Sequence, residues 1–426
     1  MALVKKCAIL ISMIQRSFDV TNESELVWML NGLKDYIGYS HARTVFVQFY
    51  LSRFSGADAQ SVTRLIKQEL PKAQVVGMSL YGDPFVGLNA EKLMRFNFCL
   101  FEQSDVTICA YDSDAESLDA IIADFRARLA ATPHLAGVLL LESGITFKAS
   151  RFLDAVTEGY EDVPFFGSVA NINTADLLDQ EPYSFSGEAL IRRGVVAALL
   201  SGESLHLYTE SIFGWTPIGK PMVVEAGEAG SVGDSLIAKI DGVPATQIYK
   251  RYLNVDPDRH FVSNVCEFPI VVQRNGYELA RIPCGYTASG ALNTMGDVRD
   301  GESVRFSYGK SDAILAKTRE ASIRMAEFAP EAVFLYVCAN RAIFLKERAH
   351  EEIDLYGSVC GGTVYCHGFS ELYRYKGQGG VFNSQLVTVG LREGDGCTGA
   401  NNRCLLIGVS FDPPRRTPPV LHGDAA

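Results

Sequence analysis

Three stretches of the chain repeat one order of polarity: a β-rich apolar run, a polar loop, an amphipathic stretch of helical period, and a second apolar run that closes near glycine. The first comprises RTVFVQFY (43–50), GADAQSVTRLIKQELPK (56–72) and QVVGMSLYGD (74–83). The second comprises AGVLLLESG (136–144), TFKASRFLDAVTEGYED (146–162) and VPFFGSVANI (163–172). The third opens at EAVFLYVCANRA (331–342) and continues through FLKERAHEEIDLYGSVCGG (344–362) to TVYCHGF (363–369). Leu345, Ala349, Ile353 and Tyr356 keep one apolar face, so we read one long helix running on to Gly361 rather than a break at Gly357. Gly368 then stands in the place that Gly82 holds in the first unit.

Each unit is followed by apolar runs with short turn-like spacers, LMRFNFCLFEQSDVTICAYD, GVVAALLSGESLHLYTES and GGVFNSQLVTVGLRE, which predict antiparallel hairpins. The expected fold is therefore mixed α/β, with β-α-β plus antiparallel units in two domains. The boundaries read as a leader (1–39), an N-terminal domain (40–222), a Gly-containing polar linker (223–235), a C-terminal domain (236–393) and a partly disordered tail (394–426).

Composition narrows the classes. A chain of 426 residues with 47% apolar content fills two or three cores, and a net charge of −11 without any basic run disfavours nucleic acid and anionic membranes as partners. Ten irregularly spaced cysteines, most within apolar runs, fit a reduced, cytoplasmic protein. The apolar stretch Cys7–Ile14 lacks a small-x-small cleavage site, and no later segment approaches the about 20 apolar residues of a membrane helix.

Catalytic signatures are incomplete. GMSLYG (77–82) has tyrosine where a nucleophile elbow needs glycine, so Ser79 reads as a turn residue. SYGKSD (307–312) has Val304 in place of the first P-loop glycine, and GQGGVF (377–382) leads into a strand instead of a helix. Cys-x-x-Cys and His-Glu-x-x-His are absent from the sequence. Arg341, at the end of an apolar run, offers a fork for a carboxylate, or equally a pair with a local acid such as Glu347. His367 reads either as a turn histidine or as an imidazole presented to a ligand or a haem iron.

In order and local wording the chain resembles the FIST family, with an N-terminal FIST part and a C-terminal FIST_C part, over roughly residues 40 to 392. The resemblance rests on VVGMSLYGD, VPFFGSVANI with YSFSGEALIRRGVVAALLSG, GWTPIGKPMVV with IDGVPATQIYKRYLNVDP, and VCANRAIFLKERAHEEI with VFNSQLVTVGL. It implies a non-enzymatic intracellular sensor of small, amino-acid-like ligands. The partners it implies are a separate diguanylate cyclase, histidine kinase or chemoreceptor. The chain departs from the family where members read aromatic-Gly-Glu, having His367, Gly368 and Phe369 there.

The expected site lies between the two domains, on the loops after the paired strands: Ser79, Tyr81, Ser143, Asn171, Asn340 and Arg341, with His367 on its rim. Binding there would bias the placement of one domain against the other. The alternatives are a haem-dependent nitric-oxide sensor with His367 as iron ligand, Tyr365 or Tyr373 substituting, and a hydrolase using Ser79 or Cys338.

Overall fold

The computed structural model describes residues 13–35, 37–80, 92–144, 146–171, 181–187, 189–227, 235–265, 267–274, 277–294 and 296–394. Strand β1 (Met13–Val20) and helices α1 (Glu23–Asp35) and α2 (Ile37–His41) precede the first repeated unit. That unit is β2 (Thr44–Ser52), α3 (Gly56–Glu69) and β3 (Ala73–Ser79), with the strands parallel. Ser55 and Asp58 cap each other's backbone at the start of α3, and Ala59, Val62 and Ile66 form its buried face. All nine residues of β2 are buried, as a strand covered on both faces requires. Strand β4 (Leu93–Phe101) lies antiparallel between β1 and β2, giving the order β1-β4-β2-β3.

The second sheet repeats this order. Strand β5 (Asp105–Asp112) and helix α4 (Leu118–Ala131) lead to β6 (Leu135–Ser143), α5 (Ala149–Thr157) and β7 (Phe165–Val169), with β6 and β7 parallel. A hairpin of β8 (Ser184–Ser186) and β9 (Ala189–Ile191) returns to the first sheet and pairs with β3. Strand β10 (Gly194–Ser201) sits between β5 and β6, so the second sheet runs β5-β10-β6-β7. Strand β11 (Leu205–Ile212) leaves for the third sheet.

A separate antiparallel sheet follows, from β12 (Thr216–Gly227), β13 (Ser235–Ile240), β14 (Val243–Pro244), α6 (Ala245–Leu253), α7 (Phe261–Val265), β15 (Ile270–Arg274), β16 (Tyr277–Arg281), β17 (Pro283–Tyr286), β18 (Leu292–Thr294) and β19 (Ser303–Tyr308). Helix α8 (Ser311–Phe328) then precedes the third unit: β20 (Ala332–Cys338), α9 (Ala339–Leu345), a 3-10 turn, α10 (Ala349–Gly357) and β21 (Val364–Gly368). Hairpin β22 (Glu371–Tyr375) and β23 (Gln378–Phe382) joins β7 of the second sheet, and β24 (Leu386–Glu393) lies between β11 and β20. The third sheet thus runs β11-β24-β20-β21, the same order a third time.

Several expectations need correction. None of the three anticipated hairpins forms: β4 and β5, β10 and β11, and β23 and β24 each divide between two sheets. Their connectors, 102–104, 202–204 and 383–385, have the length of hairpin loops but carry the chain across the core. The long third helix is interrupted at Lys346, whose φ of 52° is left-handed, and α10 ends at Gly357. Residues 223–227 of the expected linker belong to β12. The two parts are not hinged bodies, because β11 completes a C-terminal sheet and β22–β23 extend an N-terminal one, and residues up to Gly394 form one compact unit. A biasing of one domain against the other would have to break those ladders.

Candidate functional site

The carboxyl ends of the three parallel pairs meet. The Asn171 amide donates to the Ser79 carbonyl (3.1 Å), Ala170 to Glu142 (2.7 Å), and Val169 to Ser370 (2.9 Å). Gly368 is needed at this contact: a Cβ there would lie 1.7 Å from Ser168 Oγ and 3.0 Å from the Val169 carbonyl. Gly167 is needed as well, since its φ is 149° and a Cβ would lie 1.8 Å from the Leu140 carbonyl.

Around this junction the three sheets turn their inner faces to one large core, and polar residues from every unit interrupt it. Strand alternation places them: Gln48 and Tyr50 on β2, Ser168 on β7, Tyr336 and Cys338 on β20, Cys366 on β21 and Glu371 on β22. All seven are buried. The hydroxyls of Tyr50 and Tyr336 both donate to Gln48 Oε1 at 2.9 Å. Tyr50 also bonds Cys366, whose thiol reaches Ser168, and the Ser168 hydroxyl donates to the Ser370 carbonyl at 3.0 Å. A second buried link, Gln15 Nε2 to Asn97 Oδ1 (2.8 Å) and to the Val333 carbonyl (3.0 Å), ties β1 to β20 nearby. Burial pushes the Tyr50 and Tyr336 hydroxyls and the Cys366 thiol well above their ordinary ranges.

Two atoms of this island are buried without a hydrogen-bond partner, the donor Gln48 Nε2 and the acceptor Glu371 Oε1. Glu371 Oε2 accepts a long bond from the Gln385 amide (3.4 Å), and the Cys338 thiol also bonds the carboxyl. Burial raises the Glu371 carboxyl well above the carboxylate range, against the Gln385 amide, the Cys338 thiol and the Arg341 charge, which favour ionisation. Burial and the adjacent Glu371 likewise raise the Cys338 thiol, although the Ser384, Arg341 and Asn340 backbones bond its sulfur. Ser79 and Cys338 are therefore poor nucleophiles as placed: the Ser79 hydroxyl accepts from the Tyr183 amide (3.0 Å), and Cys338 is a buried thiol.

The residues expected from sequence separate into groups. Ser79, Ser143 and Asn171 do come together, but Ser143 Oγ donates to the Ile191 carbonyl (2.7 Å) and meets Ser184 Oγ (3.2 Å). Tyr81 lies outside the described residues. Asn340 Nδ2 donates to Ser384 Oγ at 3.1 Å. Arg341, expected to clamp a ligand, is 0% exposed and committed inside the protein. It grips Glu352, not Glu347, through Nε (2.9 Å) and Nη2 (2.7 Å), and donates to Thr318 and to the carbonyls of Ile212, Phe213 and Ser384. His367 is not on a rim: it is 2% exposed, on the face of β21 opposite Cys366, with its ring edge-on to Tyr365 at 5.4 Å. A haem plane beside that ring would require its packing to open. Among the described residues no group of three or more His, Cys, Asp or Glu is placed to hold a metal.

Comparison with known families places two models end to end on the chain: the FIST N domain matches residues 45–242 and the FIST C domain residues 245–372. FIST domains are associated with sensory signal-transduction proteins. None of the curated proteins compared matches the chain. Among solved structures, "T. maritima PurL complexed with ATP" and "T. maritima PurL complexed with FGAR" are similar at 12% and 10% identity, over 89% of this chain and 71% and 72% of theirs. Their TM-score of 0.20 is too low to show a shared fold. No helix among the described residues is long and apolar enough to cross a membrane.

Proposed function

The chain belongs to the FIST family, and from that premise we propose that it is a non-catalytic sensor whose ligand is a small polar, amino-acid-like molecule held at the buried junction of the three units. The observation that carries this reading is the polar island inside the core, with an unpartnered donor on Gln48 and an unpartnered acceptor on Glu371. A core built only for stability does better with apolar side chains of the same volume, because an unsatisfied buried polar group costs about 1–3 kcal/mol. Such a cost is retained where a ligand repays it.

Signal output in this reading does not come from a hinge between domains. Ligand contact would instead adjust the joint of three sheets, and through it the surfaces on which a separate signalling protein docks. Thermal unfolding of the purified protein against a small-metabolite panel tests it. The expected result is a concentration-dependent rise in Tm for one chemical group, weakened in Tyr336→Phe. A panel in which every member leaves Tm unchanged up to millimolar concentration rejects the reading.

A further inference from the structure

The strongest chemical asymmetry in the core is at Glu371. It is 0% exposed on β22, directly across from Ser168 of β7, and its carboxyl faces Cys338 of β20 and the backbone of Gln385. Among the described residues no Lys, Arg or His forms an ion pair with it. Arg341, the cation whose field reaches it, spends its fork on Glu352, Thr318 and three carbonyls. Glu371 is thus a buried carboxyl without an ion-pair partner, met by a long bond from the Gln385 amide and by the Cys338 thiol, with Oε1 lacking a donor within ordinary hydrogen-bond reach. Buried carboxylates are ordinarily paired or fully hydrogen-bonded.

The groups around it decide what it accepts. The Ser168 hydroxyl is spent on Ser370, and the Ser384 hydroxyl accepts from Asn340. Gln385 holds a second unpartnered acceptor, Oε1, on the residue whose amide bonds Glu371. Glu371 Oε1 and Gln385 Oε1 are buried acceptors without a donor, and a ligand group that brings hydrogens and positive charge answers the Glu371 carboxyl.

We propose that Glu371 is the ionic anchor of the ligand site and receives a protonated primary amine. This rests on the small-ligand reading above and adds the charge and class of the group that enters. The titratable and charged groups facing Glu371 are Cys338, Cys366 and Arg341. Burial raises the unliganded carboxyl and so favours its protonated form, while the incoming ammonium needs it ionised. Binding therefore transfers the Glu371 proton to solvent: the ammonium and the carboxylic acid become an ammonium–carboxylate pair plus one released proton. Affinity should rise about tenfold per pH unit over the range in which the free site is protonated and the ligand amine is charged.

The test is titration calorimetry of the full chain with the primary-amine amino acids and putrescine, each beside its N-acetylated form, in two buffers of different ionisation heat. The expected result is binding by at least one free amine and not by its N-acetyl derivative, with about one proton released, and loss of about 30-fold or more in affinity in Glu371→Gln. The proton count is read on the wild-type protein, so it stands even if the variant does not fold. Amine binding without proton release, or unaffected by Glu371→Gln, overturns this inference and leaves the small-ligand reading standing. Binding by N-acetylated members alone does the same. If no member binds, both fall.

Discussion

Replacing Glu352 with glutamine isolates the energetics of an ion pair buried at both ends. Arg341 and Glu352 have side-chain exposures of 0% and 1%, and they are joined by parallel bonds of 2.9 and 2.7 Å. The substitution keeps the shape but leaves the guanidinium with neutral partners only, Thr318 and the Ile212, Phe213 and Ser384 carbonyls. Breaking a buried pair by removing one charge costs about 3–5 kcal/mol, a large share of the roughly 5–15 kcal/mol that holds a protein folded. Replacing both partners with apolar residues, Arg341→Met with Glu352→Leu, should cost much less than the two single changes together, because no charge is then stranded. Urea unfolding followed by circular dichroism reads both, as shifts of the midpoint at unchanged slope. A Glu352→Gln loss below about 1 kcal/mol, or a double variant whose loss equals the sum of the singles, would refute the reasoning.

Three further outcomes follow from the geometry. Gly368→Ala forces a methyl into Ser168 and should lower stability by about 1–3 kcal/mol in thermal unfolding, whereas Gly357→Ala, with open space around it, should leave Tm nearly unchanged. For Asp297, burial works to raise the carboxyl, but the Arg281, Arg274 and Arg299 charges outweigh it and hold it below its ordinary value of 3.8. A depressed folded value adds stability above the unfolded value and loses it as pH falls through the folded one, so the wild-type advantage over Asp297→Asn should be full at pH 7 and fade below about pH 4 in acid titrations. Site-resolved iodoacetamide labelling of the native protein should modify the half-buried Cys284 and Cys360 before the fully covered Cys99, Cys338 and Cys366; equal rates would contradict the burial described here.

The repeated units were legible because their periodicity is local: β2, β3, β6, β7, β20 and β21 appear where apolar runs and glycines place them. Strand partners were not, because a three-residue connector such as 102–104 reads alike whether the next strand folds back or enters another sheet. The decision rests on which faces bury together, and all eight residues of β10 are buried, so alternation gives no hint of its neighbours. Lys346 carries no sequence mark of its left-handed turn. Arg341 reads from sequence as a ligand fork or a partner of Glu347, but its charge is answered by Glu352 one helix away, a pairing that only tertiary packing reveals. Glu371 lies two residues beyond Phe369, the position where the family pattern places its glutamate, and so falls outside that motif. Its sequence signal is an acid opening a Tyr-rich strand, Glu-Leu-Tyr-Arg-Tyr, which also fits an ordinary edge strand.

The hairpin β22–β23 has a consequence for how such proteins can be dissected. Cutting the chain between residues 242 and 245, where the two family segments abut, would strip β7 of its neighbour on one fragment and leave β24 without β11 on the other. Each fragment would present a raw, sticky ladder of unmet amides and carbonyls. The two named segments are thus halves of one woven object, and neither is a portable part.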